Sequence, residues 1–442
     1  MINRISFLQD MLASVFNREA VEGIDNDGRT LEELCDALLS ERGEVSGNRI
    51  ANLILTRFNE ADDEDQLAFF KMLVSRFDIN TEQVRVASEV LATENTAKNL
   101  AELLNCVEPK RMELFRRLNR ISGATGMLVN MRRIMLEQMQ EHSELARIDI
   151  DFQRLFRAWF NRGFLVLREI DWQTPANVLE KLIEYEAVHA MKSWDSLRRR
   201  LAPPDRKCFA FFHPAMLDEP LIFVEVALTS KAPDTIREIL SERRDVIHAE
   251  AANTAVFYSI SNCQAGLAGV SFGNFLIKQV AQELSIQLPD LTKFRTLSPV
   301  PGLMRWLDKA SDTDDDVLRG HLSIVHRISS GEIEIPNKDE QTVLKKIAAR
   351  YLVSERRADN QPLDAVARFH LGNGAMLDQI LPVADLYKKG LSQSAGVMVS
   401  YLYDLDKVIS NHEGYANDQI VVTSDEVKTF LTEKKKTSRR AG

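Results

Sequence analysis

Prolines and glycines are spread so unevenly along the 442 residues that the chain must fold in two different styles. Residues 1–160 hold one proline, Pro109, of the 13 in the chain, and six of its 19 glycines. With so few breakers, helical periodicity recurs throughout. Leu67, Phe70, Leu73, Val74 and Phe77 form one apolar stripe, and Leu128, Met131, Met135 and Met139 another. Thr30 precedes LEELCDALL with Glu33 three residues on, a capping-box spacing, and Thr81 opens EQVRVASEV. The methionines read as adaptable packing, not as a cofactor box. No cluster of histidine, cysteine or spaced carboxylates marks chemistry here. Residues 1–160 are therefore expected to form an all-helical bundle that serves scaffolding or oligomerisation.

The composition shifts near residue 160, and residues 161–442 are expected to form an α+β domain. Gly163, Pro175 and Pro203-Pro204 break the register around a helix at Ala176–Ala190. Cys208–Phe212 and Leu221–Thr229 are continuous, β-branched and aromatic, so they read as buried strands. Asp234–Arg244 reads as a surface helix, Gln341–Val353 as another, and Ala395–Leu405 as an apolar run. Near the end come a strand-like QIVV, a capped helix from Ser424 and a basic tail, Lys434–Arg440, expected to be solvated.

Between these elements, Ala255–Trp306 carries the strongest local signal. A β-rich run (Val256, Phe257, Tyr258, Ile260) enters a turn with Gly266, Gly269 and Gly273, and an amphipathic helix leaves it. Glycines let backbone approach a ligand closely, and the first N–H groups of a helix are free donors, so this turn suits an anionic group. Gly269-Val-Ser271-Phe-Gly273 also matches a G-x-S-x-G nucleophile elbow, but seven residues (Asn262 to Ala268) separate it from the strand, where an elbow has none. Downstream, Ser298 sits in Leu297-Ser298-Pro299-Val300-Pro301-Gly302, where two prolines pin the backbone and pre-position its hydroxyl. His370 lies among apolar residues before a Gly-Asn-Gly turn, and Tyr401 and Tyr403 alternate in YLY, so one of them is expected to face inward. His189 and His213 read as structural.

Bulk properties narrow the classes. Formal net charge is −9, which argues against general nucleic-acid binding. No run approaches the ~18 apolar residues of a membrane helix. Cys35, Cys106, Cys208 and Cys263 lack CxxC pairing and read as reduced thiols. Neither a transit peptide nor a C-terminal peroxisomal tripeptide is evident, so a cytoplasmic location is expected.

Several unusual strings carry a resemblance: YEAVHAMKSWDSLRRRL, EPLIFVEVALT, FYSIS followed by GLAGVSFGNFLIKQV, LSPVPGLMRWL, FHLGNGA and ADLYKKGLSQSAGVMVSYLY. In this order and spacing, from about residue 160 to 405, the chain resembles the malonyl-CoA decarboxylases. The resemblance implies a helical N-terminal part used in oligomerisation, with tetramers expected. It implies a C-terminal domain like the GCN5-related acetyltransferase fold, a mixed sheet with flanking helices. The reaction it implies turns malonyl-CoA into acetyl-CoA and carbon dioxide with no metal or organic cofactor. Catalytic roles fall on Ser298 and His370 and the acyl-CoA-binding turn on Ala268, Gly269, Val270, Ser271, Phe272, Gly273 and Asn274. Supporting polar roles fall on Ser259 and Tyr403. Where animal members have a glutamate in the glycine turn this chain has Ser271, so a role for that carboxylate does not carry over, and Ser271 is not expected to be a nucleophile.

The chemistry fits these residue types. Losing carbon dioxide from a malonyl thioester leaves an enolate whose charge moves to the thioester oxygen, so the substrate is its own electron sink. The protein must supply N–H donors to that oxygen, each worth ~3 kcal/mol, which the glycine turn at a helix N-terminus is expected to do, and it must hold the departing carboxylate and protonate the enolate carbon. A histidine titrating near neutrality suits the last task. Two other functions use the same elements: an acyl-CoA-dependent N-acyltransferase, and a non-catalytic helical scaffold that keeps a coenzyme A-binding domain.

Overall fold

A computed structural model describes residues 27–40, 43–270, 276–310, 316–333 and 335–431. The protein is α+β and forms two compact units. The first comprises the helical residues up to Leu165 together with His213–Glu219 and the segment from Gln264. The second comprises Val166–Phe212, Pro220–Cys263 and the rest of the chain.

In the helical unit, helices Leu31–Ser40, Glu44–Glu60, Asp63–Arg76, Lys110–Leu118, Ala124–Gln138 and Ala146–Trp159 bury their apolar stripes together. The Thr30–Glu33 capping box forms: Thr30 N–H donates to Glu33 Oε2 at 2.8 Å and Glu33 N–H to Thr30 Oγ1 at 3.2 Å. The helix Thr81–Thr93 is capped one residue earlier than expected, because the Asn80 side chain accepts from both Glu82 and Gln83 N–H. Leu128, Met131 and Met135 are fully buried, as packing residues. Phe115 stacks on Phe152 at 4.4 Å. Gly266 shows why no side chain stands there, since a Cβ would lie 1.9 Å from the Val129 carbonyl oxygen. Arg132, buried beside it, donates to the Gly266 carbonyl at 2.7 Å and pairs with Asp149 at 2.7 Å. Two helices behave differently. Thr81–Thr93 buries only Ala87 and Ala97–Val107 buries nothing, leaving Val86, Val90, Leu100, Leu104 and Val107 between 40% and 58% exposed.

The second unit is a single mixed sheet with helices. Its strands are β1 (Val166–Ile170), β2 (Arg206–His213), β3 (Met216–Thr229), β4 (Thr254–Asn262), β5 (Lys293–Thr296), β6 (Ser298–Pro299), β7 (Met376–Leu381) and β8 (Met398–Leu402). They lie in the order β1-β2-β3-β4-β5-β8-β6, with β7 paired to β8. The expected strands at 208–212, 221–229 and 255–261 form. One face carries two apolar clusters, the first joining Leu182, Leu197, Cys208, Ala210, Phe223 and Cys263. The second joins Ile236, Ile239, Val256, Tyr258, Leu297 and Met398. All four cysteines are free thiols.

Several expected elements differ. The helix from Ala176 stops at Tyr185, where Glu186 turns back to accept the N–H groups of Val188 and His189. The helix expected over Asp234–Arg244 covers only Ile236–Leu240, capped by Thr235. QIVV is not a strand: Gln419 is left-handed, and only Thr423 bridges, to Leu377. The basic tail lies outside the described residues. Among the described residues, no helix is long and apolar enough to cross a membrane.

Candidate active site

Two features of the sheet make a site: a place where it splits, and a histidine delivered beside the split. β4 and β5 run parallel for four residues, Thr254–Phe257 against Lys293–Thr296. The last rung is Leu297 N–H to the Phe257 carbonyl, 2.9 Å. From Ser298 on, the chain leaves β4 and keeps only β8, with which it already pairs at Arg295 opposite Leu402. Ser298 lies opposite Val399 and Pro299 opposite Met398, while β4 continues to Asn262 along β3 alone. The prolines around Ser298 suit this switch, since neither needs a ladder donor.

His370 arrives on the last turn of the helix Ala365–Gly372. Asp364 starts that helix, its Oδ1 accepting the Ala367 N–H at 2.8 Å. Gly374 ends it at φ 83°, where a Cβ would lie 2.0 Å from the Val408 carbonyl oxygen, so the Gly-Asn-Gly turn fixes where the imidazole sits.

The side chains then connect in a line. Tyr403 Oη lies 2.8 Å from His370 Nδ1, His370 Nε2 lies 3.0 Å from Ser298 Oγ, and Ser298 O–H donates to Thr296 Oγ1 at 2.9 Å. Thr296 Oγ1 also accepts the Tyr401 N–H at 3.0 Å. Because the single Ser298 proton is committed to Thr296, Nε2 carries the imidazole proton and donates it to Ser298. Nδ1 is then the acceptor of the Tyr403 O–H. Tyr401 lies over the ring, centroids 4.5 Å apart and planes 25° apart. His370 is 2% exposed, and burial pushes its pKa down to about 3, so at neutral pH the imidazole is uncharged. Burial pushes the Tyr403 phenol up, keeping its proton in place. A histidine titrating near neutrality was the expectation; desolvation with no carboxylate partner overturns it.

Ser298, His370 and Tyr403 are therefore brought together. Ser259 is placed otherwise. β4 bulges at Tyr258, since Glu225 pairs with Ser259 while the next residue, Val226, pairs with Phe257. The extra residue turns Ser259 to the face shared by Tyr258 and Glu225, while Phe257 faces Tyr403 at 6.2 Å. Ser259 Oγ lies 2.8 Å from both carboxylate oxygens of Glu186, and no bond links it to His370 or Ser298. Ala268, Gly269 and Val270 belong to the helical unit, with Gly269 at φ 74°. Ser271, Phe272, Gly273 and Asn274 lie outside the described residues. Thr296 and Tyr401 were missed by sequence reasoning, although Thr-x-Ser and Tyr-x-Tyr place both partners of each pair on one strand face. The alternation in YLY was misread for that reason: both tyrosines face inward, at 0% and 1% exposure.

Comparison with known proteins agrees with this picture. Residues 163–441 match the family model described as the malonyl-CoA decarboxylase C-terminal domain, and residues 77–160 the N-terminal domain. Mitochondrial malonyl-CoA decarboxylase from Anser anser anser is 31% identical over 433 residues, spanning 90% of this chain and 83% of the relative. A solved malonyl-CoA decarboxylase from Rhodopseudomonas palustris is 45% identical, with TM-score 0.83, covering 90% of this chain and 98% of that one. Another, from Agrobacterium vitis, is 46% identical with TM-score 0.84, covering 91% and 100%. The chain belongs to the malonyl-CoA decarboxylase family.

Proposed function

We propose that the protein converts malonyl-CoA into acetyl-CoA and carbon dioxide at the split between β4 and β6. The observation that carries this reading is the unbroken line Tyr403–His370–Ser298 ending where the sheet opens. The thioester lies in the split, where a bulged strand leaves its extra residue out of the ladder and so frees main-chain polar groups for the oxygen. The C–C bond to the carboxylate breaks and its electron pair moves into the enolate. Carbon dioxide leaves, and the enolate carbon takes the proton from His370 Nε2. The Tyr403 proton follows onto Nδ1, so no imidazolate persists; water then returns a proton to Nε2 as the Nδ1 proton moves back to the tyrosine, which restores the starting tautomer. Ser298 holds the imidazole and the substrate in register, and Tyr401 and Phe257 keep the ring dry. The turn from Ala268 to Asn274, expected to supply such donors to the enolate oxygen, is proposed to offer main-chain amides to an anionic group of the substrate.

Incubation with malonyl-CoA and no amine acceptor tests the reaction. Stoichiometric acetyl-CoA by mass spectrometry is the expected result. Intact malonyl-CoA, with acyl transfer appearing only when an amine is added, would instead mark an N-acyltransferase.

We further propose that the exposed apolar residues of Thr81–Thr93 and Ala97–Val107 form the surface through which copies of the chain assemble, a tetramer being the form the family resemblance implies. A cytoplasmic location remains a proposal too, since the Anser anser anser relative is named as mitochondrial.

A further inference from the structure

Ser298 and His370 meet at 3.0 Å although 72 residues separate them in the chain, so their two segments must be held in register. Pro299, Val300 and Pro301 follow Ser298 and carry its position stiffly to Gly302. His370 rides on the helix that Asp364 caps. Gly302 and Asp364 come together at one point, and the Tyr351 hydroxyl lies against both. A Cβ at Gly302 would stand 2.1 Å from Tyr351 Oη and 3.7 Å from Asp364 Oδ2. Tyr351 O–H donates to that same Asp364 oxygen at 3.3 Å, while the other oxygen accepts the Ala367 N–H at 2.8 Å.

The residue types at this point exceed what capping and packing need. A serine or asparagine would cap the helix equally well, yet Asp364 is a carboxyl only 2% exposed, and burial pushes its pKa up. Such a group is costly to bury unless both oxygens are used, and Tyr351 takes the second. Tyr351 itself is delivered by a departure from regular helix. After Lys338–Ala349 the chain widens into a π-helical turn, Arg350–Ser354, where Glu355 N–H donates to the Arg350 carbonyl at 3.1 Å, five residues back. The Trp306 ring, from the helix that follows Gly302, packs on that of Tyr351 at 5.2 Å. Phenylalanine would fill this space; the hydroxyl adds a link to the His370 helix.

We propose that Tyr351 is a positioning residue for decarboxylation: its hydroxyl joins the Ser298 segment at Gly302 to the His370 helix at Asp364 and so sets the contact between their side chains. The role rests on the catalytic reading of Ser298 and His370. Tyr351 bonds to neither side chain and acts through the backbone that carries each.

The test is a rescue. Gly302→Ala drives a methyl group into Tyr351 Oη, and kcat for acetyl-CoA formation falls by about tenfold or more with KM within about twofold. Tyr351→Phe alone lowers kcat by about fivefold, because the hydroxyl link is lost. In the double variant the oxygen that blocks the methyl is gone, so kcat returns to about the level of Tyr351→Phe. Nitrogen NMR of the histidine imidazoles reads the same effect without turnover: the His370 signal shifts in Gly302→Ala and moves back in the double variant. Losses that multiply in the double variant overturn the proposal. So does a Tyr351→Phe protein with wild-type kcat and an unmoved His370 signal, a result that does not require Gly302→Ala to fold. If wild-type protein makes no acetyl-CoA, the decarboxylase reading falls by itself; the His370 signal then decides, its shift upholding the link through Tyr351 and its constancy overturning it.

Discussion

Tyr403→Phe isolates the role of the hydrogen bond at the back of the imidazole. The change removes one oxygen from a side chain 1% exposed and leaves the aromatic contact with Phe257 in place. The lost bond is the 2.8 Å contact to His370 Nδ1, which has no other partner in this line. Leaving a buried acceptor unsatisfied costs about 1–3 kcal/mol, so stability is expected to fall within that range. The same bond fixes Nδ1 as acceptor and so keeps the proton on Nε2, facing Ser298. Without it the imidazole must give up its proton with nothing to follow onto Nδ1. If about 2 kcal/mol of that penalty is felt only as the proton moves, kcat falls by about thirtyfold while KM changes little. Acetyl-CoA formation under saturating malonyl-CoA, with denaturant unfolding of the same preparation, separates the two effects. A folded variant with kcat within about twofold of wild type would refute the proton line, because the bond would then be structural only.

Acidification tests the burial of His370 directly. Its folded pKa of about 3 lies below the ordinary value near 6.5, so the unfolded chain binds the extra proton first, and stability falls as pH drops through that window. Between pH 6.5 and 5 the loss is about 2 kcal/mol, and unfolding curves of His370→Ala are expected to show a shallower pH slope; equal slopes would count against the assignment. Leu104→Asp places a charge on a residue 58% exposed in the apolar stripe of the helical unit. Sedimentation is expected to show a smaller assembly with unchanged helix content, and an unaltered assembly would remove this surface from consideration. Gly374→Ala combines a left-handed backbone with a Cβ 2.0 Å from a carbonyl oxygen, so thermal unfolding should show a loss of about 2 kcal/mol or more, and a neutral result would mean the turn yields.

How much of this was legible in the sequence depended on whether the deciding interaction was local. The capping box at Thr30 and Glu33 and the strands at Leu221–Thr229 and Ala255–Ser261 are set by residues within a few positions, and they form. Phe369-His370-Leu371 ahead of Gly372-Asn-Gly374 likewise marks a helix end from its own glycine chemistry. The misreadings come from longer-range choices. QIVV has strand composition, but a left-handed Gln419 leads into a single bridge at Thr423. Ser259 was given a supporting role by the resemblance, and in a regular strand it would share the face of Phe257, two residues before it. The extra residue at Tyr258 breaks that parity and hands its hydroxyl to Glu186, 73 residues away in the chain. The charge state of His370 was likewise invisible, since burial under Tyr401 and Tyr403 depends on a strand 31 to 33 residues downstream.

The catalytic assignment rests on the 3.0 Å contact between Ser298 and His370, and replacing the imidazole probes it most directly. In folded His370→Ala protein the rate of acetyl-CoA formation from malonyl-CoA is predicted to drop by a factor of about 100 or more, the usual share of a positioned proton donor. A rate within about threefold of wild type would show that the proton reaches the enolate from elsewhere.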